Sequence, residues 1–238
     1  MNKYLTELIG TFFLVLTIGL SVLGGTPMAP LAIGAVLMVM VYMGGHVSGG
    51  HYNPAVSLAV LLRGKLQARD VVPYMTAQIL GSVAAAAVVY VVLGRTFAPA
   101  PGPAASAVGA LLVEVLYTTA LCLVVLHSAT APQTTGNSFY GLAIGFTVAA
   151  GAFAGGPISG GAFNPAVGIG PILVSAVLGS HGSLANLWLY LLGPFVGGAL
   201  AAAVYRVQQP AEATPQEALA ARADFGEAVP SSRRRTPA

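Results

Sequence analysis

The chain predicts an all-α membrane protein: six transmembrane helices plus two re-entrant half-helices, in two inverted three-helix repeats. Three observations carry this. Of 238 residues, 56% are hydrophobic and 7% charged, against roughly 25% charged in soluble domains. No charged residue stands between Leu8 and Leu62, and between Val71 and Tyr205 there are only Arg95 and Glu114. Finally, a stretch containing Asn-Pro-Ala occurs twice, at an offset of 111.

A helix crosses the roughly 30 Å hydrocarbon core with about 20 apolar residues. Apolar runs and Gly/Pro breaks place spans near 4–24, 30–45, 71–93, 106–127, 139–154 and 184–206. Runs such as Val83 to Leu93 do not alternate, which argues against barrel strands. Glu7 interrupts the first apolar run, so it reads as a retained span rather than a cleaved signal. Two Gly-rich apolar segments remain, 46–62 and 155–178, and each contains Asn-Pro-Ala.

Placing Arg63, Lys65 and Arg69 in the cytoplasm puts Lys3 and Arg206 there too and leaves Arg95 outside. The expectation is an integral protein of the plasma (inner) membrane with both termini cytoplasmic. Three regions follow: a first repeat over 1–105 with its half-helix near 53–62, a second over 106–206 with its half-helix near 164–176, and a disordered cytoplasmic tail over 207–238. The tail reading rests on eight charged residues between Gln208 and Ala238. Within it, Arg233 to Arg235 beside Ser231, Ser232 and Thr236 suit anionic lipid or a modification site, although a solvated tail is the simpler reading.

The net charge of +3 comes from scattered basic residues, so no nucleic-acid partner is expected. Cys122 is alone and excludes an internal disulfide. His46 and His51 have no Cys, Asp or Glu near them in sequence, and neither cofactor nor metal is expected. His127 and His181 read as span-end residues, and Tyr90, Trp188, Tyr190 and Tyr205 as candidates for interfacial belts. The pairs Gly141/Gly145, Gly151/Gly155 and Gly193/Gly197 have the spacing of close helix contacts within the subunit.

The repeat decides the topology. Ser48-Gly49-Gly50-His51-Tyr52-Asn53-Pro54-Ala55-Val56 matches Ser159-Gly160-Gly161-Ala162-Phe163-Asn164-Pro165-Ala166-Val167 at seven of nine positions. Glu7 and Thr11 are echoed by Glu114 and Thr118, and Ala77 and Gly81 by Gly193 and Gly197. Each half thus has three helices, and an odd number inserts the second half upside down.

Asn53 and Asn164 stand at helix N-caps, and Pro54 and Pro165 at the first helical position, where a missing N–H costs nothing. Two half-helices of about 15 Å entering from opposite faces make a seventh, broken span. Their N-termini place partial positive charge at the membrane centre, repelling cations. Each asparagine oxygen caps its own helix and leaves its amide NH₂ free to donate into a lumen. Gly49, Gly50, His51, Gly160, Gly161 and Ala162 are expected to expose carbonyl acceptors there, since irregular backbone at membrane depth lines a cavity or is buried. A narrow path for small uncharged polar molecules follows.

These residues resemble the major intrinsic protein family, the aquaporins and glycerol facilitators, over residues 4–206. The resemblance implies a pore in each subunit and a homotetramer in the membrane lipid, passing water and small neutral solutes. It matches Asn53 and Asn164 to the pore asparagines, with Pro54, Ala55, Pro165 and Ala166 completing their motifs. Gly45, His46 and His51 match the family's first loop. It matches Glu7 and Glu114 to loop-bracing carboxylates, beside which a proton-relay reading stays open. Family spacing puts the selectivity filter at Ile33, Ala152, Gly161 and Val167. Val167 stands where the family usually has arginine, and Gly168 where glycerol facilitators have aspartate. This filter is apolar and fits neither subgroup.

The expected function is a passive channel. The alternative is a secondary transporter on the same architecture, although Glu7 and Glu114 are the only intramembrane acids available for coupling. No nucleophile–base pair or metal-ligand set is evident, so no enzyme is expected.

Overall fold

The computed structural model describes residues 1–179 and 184–209. His181 and most of the expected tail lie outside the described residues. Met1–Tyr205 forms one compact unit; a second unit starts at Arg206.

The helices are α1 (Asn2–Leu23), α2 (Ala29–Ser48), α3 (Pro54–Leu62), α4 (Ala68–Leu93), α5 (Ala107–Val125), α6 (Tyr140–Ser159), α7 (Pro165–Leu178) and α8 (Leu187–Gln208). A π-helical turn, Leu126–Thr130, extends α5. Six helices among the described residues are long and apolar enough to cross a membrane. Side chains such as Val91, Leu116, Phe146 and Val196 are exposed on their outer faces, the surface an integral membrane protein presents to lipid.

α3 and α7 are the two half-helices. Nine and fourteen residues long, they reach roughly 35 Å end to end, enough for the hydrocarbon core. The repeats are exchanged at their contacts. In the first half Ser82 of α4 donates to the Ala166 carbonyl at the start of α7, at 2.6 Å. In the second, Gly198 of α8 lies against the Ala55 carbonyl at the start of α3. Each half-helix is therefore clamped by the third long helix of the other half.

Glycine permits the closest approaches. Gly34 of α2 and Gly145 of α6 each lie against the other's carbonyl oxygen, and Gly81 and Gly197 lie against the carbonyls of Leu8 and Val115. All six residues of the predicted glycine pairs pack against neighbours in the same chain. At the end of α1, Lys3 is paired with Asp70 at 2.6 Å, and Tyr4 donates to the same carboxylate at 2.7 Å.

One expectation is corrected. α2 and α6 run on to Ser48 and Ser159, past the glycines that suggested earlier ends. Of the four candidate belt aromatics, whose orientation the sequence leaves open, Tyr190 and Tyr205 are buried, 0% and 2% exposed.

Candidate functional site

The loops entering α3 and α7 share one unusual backbone. Gly49 and Gly160 have φ of 91° and 90°, Gly50 and Gly161 of 62° and 64°, and Tyr52 and Phe163 of 48° and 50°. Glycine suits the first two positions of each loop. A non-glycine residue in this region costs roughly 1–2 kcal/mol, so something must hold Tyr52 and Phe163 in place.

The two buried carboxylates do so. Glu7 Oε1 accepts from the His51 N–H at 3.0 Å and from Ser48 Oγ at 2.7 Å. Its Oε2 accepts from the Tyr52 N–H at 2.6 Å and from Gln78 Nε2 at 2.8 Å. Glu114 repeats the pattern with Ala162 N–H at 3.0 Å, Ser159 Oγ at 2.8 Å and Phe163 N–H at 2.7 Å. The serines turn back once more, accepting from the N–H of Gly50 and of Gly161, both at 3.1 Å.

The N–H groups are thus held by the carboxylates and serines, and the carbonyls differ in their partners. Those at the ends of each loop are taken. Tyr74 donates to Ser48 O at 2.8 Å and Tyr190 to Ser159 O at 2.6 Å. Asn53 Nδ2 donates to Phe163 O at 2.9 Å, and Asn164 Nδ2 to Tyr52 O at 2.8 Å. Among the described residues no donor reaches the carbonyls between them, on Gly49, Gly50, His51, Gly160, Gly161 and Ala162.

Both asparagines cap their helices. Asn53 Oδ1 accepts from the Ala55 N–H at 2.8 Å and Asn164 Oδ1 from the Ala166 N–H at 2.9 Å. The expectation of a free NH₂ is corrected: one N–H of each amide is committed to the opposite loop, and one remains. Pro54, Ala55, Pro165 and Ala166 are buried behind them.

Asn53, Asn164, Ile33, Ala152, Gly161 and Val167 all line one cavity of about 580 Å³, together with Gly50, His51, Gly160 and Ala162. Its lining side chains are apolar apart from those of His51, Tyr52, Asn53 and Asn164. A second cavity of about 510 Å³ is lined by Ser48, Gly49, His51, Tyr74, Lys3 and Asp70, among others. His51 and Val125 border both. Glu7 and Glu114 lie behind the walls, fully buried.

Sequence reasoning missed the hydroxyls of Tyr74 and Tyr190 and the side chains of Ser57 and Gln78. The tyrosines were within reach, since Tyr74 and Tyr190 are separated by the same 116 residues as Ala77 and Gly193.

Comparison with known proteins follows the same lines. A family profile described as "Major intrinsic protein" matches residues 1–205. Aquaporin NIP1-1 of Zea mays is 36% identical over 87% of the chain and 74% of its own length. Glycerol uptake facilitator protein-like 6 of Lactiplantibacillus plantarum is 37% identical over 87% and 98%. The solved aquaglyceroporin of Plasmodium falciparum shares the fold, with a TM-score of 0.76 at 22% identity, covering 86% of this chain and 94% of that one. With the match covering the whole six-helix unit, the chain belongs to the major intrinsic protein family.

Proposed function

We propose that the chain conducts water and small uncharged solutes passively along the two cavities, past Asn53 and Asn164, through an apolar filter formed by Ile33, Ala152, Gly161 and Val167. Family membership makes it a membrane channel rather than an enzyme. The finer reading is carried by one observation: the four filter positions, scattered over α2, α6, the second loop and α7, border one cavity with both asparagines.

The lining gives the selectivity a physical form. Half-helix N-termini and the remaining amide N–H groups favour an oxygen acceptor at the centre. Carbonyls of the two loops take donors from the same solute. Val167 supplies neither the fixed donors nor the positive charge of an arginine, so the entrance is apolar and admits solutes larger than water. Glu7 and Glu114 act as loop braces, since each holds two backbone N–H groups of the loop it faces.

The assembly is read as a homotetramer in the plasma (inner) membrane, with cytoplasmic termini, repeats over 1–105 and 106–206, and a cytoplasmic tail from 207. Purified protein in liposomes, followed by stopped-flow light scattering after an osmotic jump, tests the channel. Fast shrinkage in an impermeant sugar and rapid re-swelling in glycerol are expected. Shrinkage and re-swelling no faster than in empty liposomes, or flux that saturates and depends on an ion gradient, overturns it.

A further inference from the structure

The two halves match loop for loop but differ in one cluster. His51, Ser57 and Gln78 have Ala162, Gly168 and Pro194 as their repeat counterparts, none with a hydrogen-bonding side chain. In the second half the space is closed, because a Cβ on Gly168 would collide with Tyr190. In the first half the three side chains are joined. His51 Nδ1 lies 3.0 Å from Ser57 Oγ, and Gln78 Nε2 donates to Ser57 Oγ at 3.0 Å and to Glu7 Oε2 at 2.8 Å.

The network has a direction, set at Glu7. Two of its donors are backbone N–H groups, which cannot reverse. An ionised Glu7 has only acceptors, so Gln78 turns its amino group toward the carboxylate. Rotated by half a turn, it would set two acceptor oxygens against each other and place its NH₂ where Oε1 now lies, a buried site with no partner. Both N–H groups of Gln78 are thus committed. Ser57 Oγ accepts one of them and has a single hydrogen to give, and His51 Nδ1 is the acceptor in reach. A ring nitrogen that accepts carries no proton, which puts the proton of neutral His51 on Nε2.

We infer that the Glu7–Gln78–Ser57 relay locks His51 as the Nε2–H tautomer, making it a specificity-determining hydrogen-bond donor at the joint between the two cavities. This rests on the proposed conduction path. No described residue bonds Nε2, which lies beside Gly49, and His51 borders both cavities. The donors facing a solute are then the two asparagine amides and His51, set against two rows of carbonyls. The favoured solute carries an oxygen acceptor together with N–H or O–H donors, as urea-like amides and polyols do.

The test is nitrogen-15 NMR of the full chain in lipid bilayers, with labelled histidine, at a pH where the imidazole is neutral. The His51 resonances are those lost in His51→Asn. A single form protonated at Nε2 is expected, and added urea should move the Nε2 resonance while Nδ1 stays in place. Ser57→Ala, or Gln78→Met should that variant fail to fold, should yield a mixture of both neutral tautomers. Wild-type His51 protonated at Nδ1, an Nε2 resonance unmoved by urea in liposomes that conduct urea, or an unchanged tautomer in the variants overturns the inference. Water, glycerol and urea flux are measured separately in the same liposomes, so an Nε2–H tautomer without flux of any of the three overturns the channel reading and leaves the relay standing.

Discussion

Asn53 and Asn164 are tied into each other's loops: each caps its own half-helix through Oδ1 and donates through Nδ2 to the carbonyl of the residue preceding the other asparagine. One side chain thereby fixes a helix start and its distance from the opposite helix. The carbonyls it holds belong to Tyr52 and Phe163, the two non-glycine residues in the left-handed backbone region. The centre of the molecule is a closed four-residue clasp with the symmetry of the repeat.

Aspartate at these positions separates capping from clasping. Asn53→Asp keeps the capping oxygen but sets a charged oxygen against the Phe163 carbonyl, and Asn164→Asp does the same at Tyr52. Each variant should lose about 1–3 kcal/mol, the cost of an unsatisfied buried group. The double variant should lose less than the sum, because both ties hold the same junction. Thermal unfolding in detergent measures this; midpoints equal to wild type would remove the clasp from the account.

The carboxylates offer a second test, between bracing and proton relay. Both oxygens of Glu7 and of Glu114 accept from a backbone N–H, a donor that cannot become an acceptor. The amide of Glu7→Gln or Glu114→Gln must therefore point its NH₂ at one such donor, wherever it turns. Each should destabilise the protein by about 1–3 kcal/mol and leave solute flux independent of a proton gradient, as in wild type. A stable Gln variant that abolishes a proton-driven flux would restore the relay.

How much of this was legible in the sequence depends on the range of the interaction. The half-helix starts were legible because an N-cap asparagine followed by proline is a local rule, and α3 and α7 begin at Pro54 and Pro165 as expected. The ends of α2 and α6 were not. The expected spans stopped near residues 45 and 154, yet the rings of Tyr52 and Phe163 fill the space beside Gly44 and Gly155, and the helices persist. The proposed filter positions rest on family spacing alone, since α2, α6 and α7 meet only in three dimensions. The second partner of each asparagine amide was beyond any local reading, because it lies 110 residues away for Asn53 and 112 for Asn164.

Val167 is where the proposed apolar filter can be reversed by one side chain. It is 5% exposed and borders the cavity of about 580 Å³, so a longer side chain there extends into the proposed conduction path. Val167→Arg adds length, five donors and a positive charge; Val167→Met adds length without donors or charge. If the mapping is right, the arginine variant should slow glycerol re-swelling roughly 10- to 100-fold, equivalent to about 1–3 kcal/mol of added barrier. Water-driven shrinkage should fall far less. Methionine distinguishes the cause: equal slowing in both variants assigns the effect to obstruction, whereas slowing by arginine alone assigns it to the fixed donors and charge. Glycerol flux unchanged by arginine would place the filter elsewhere along the path.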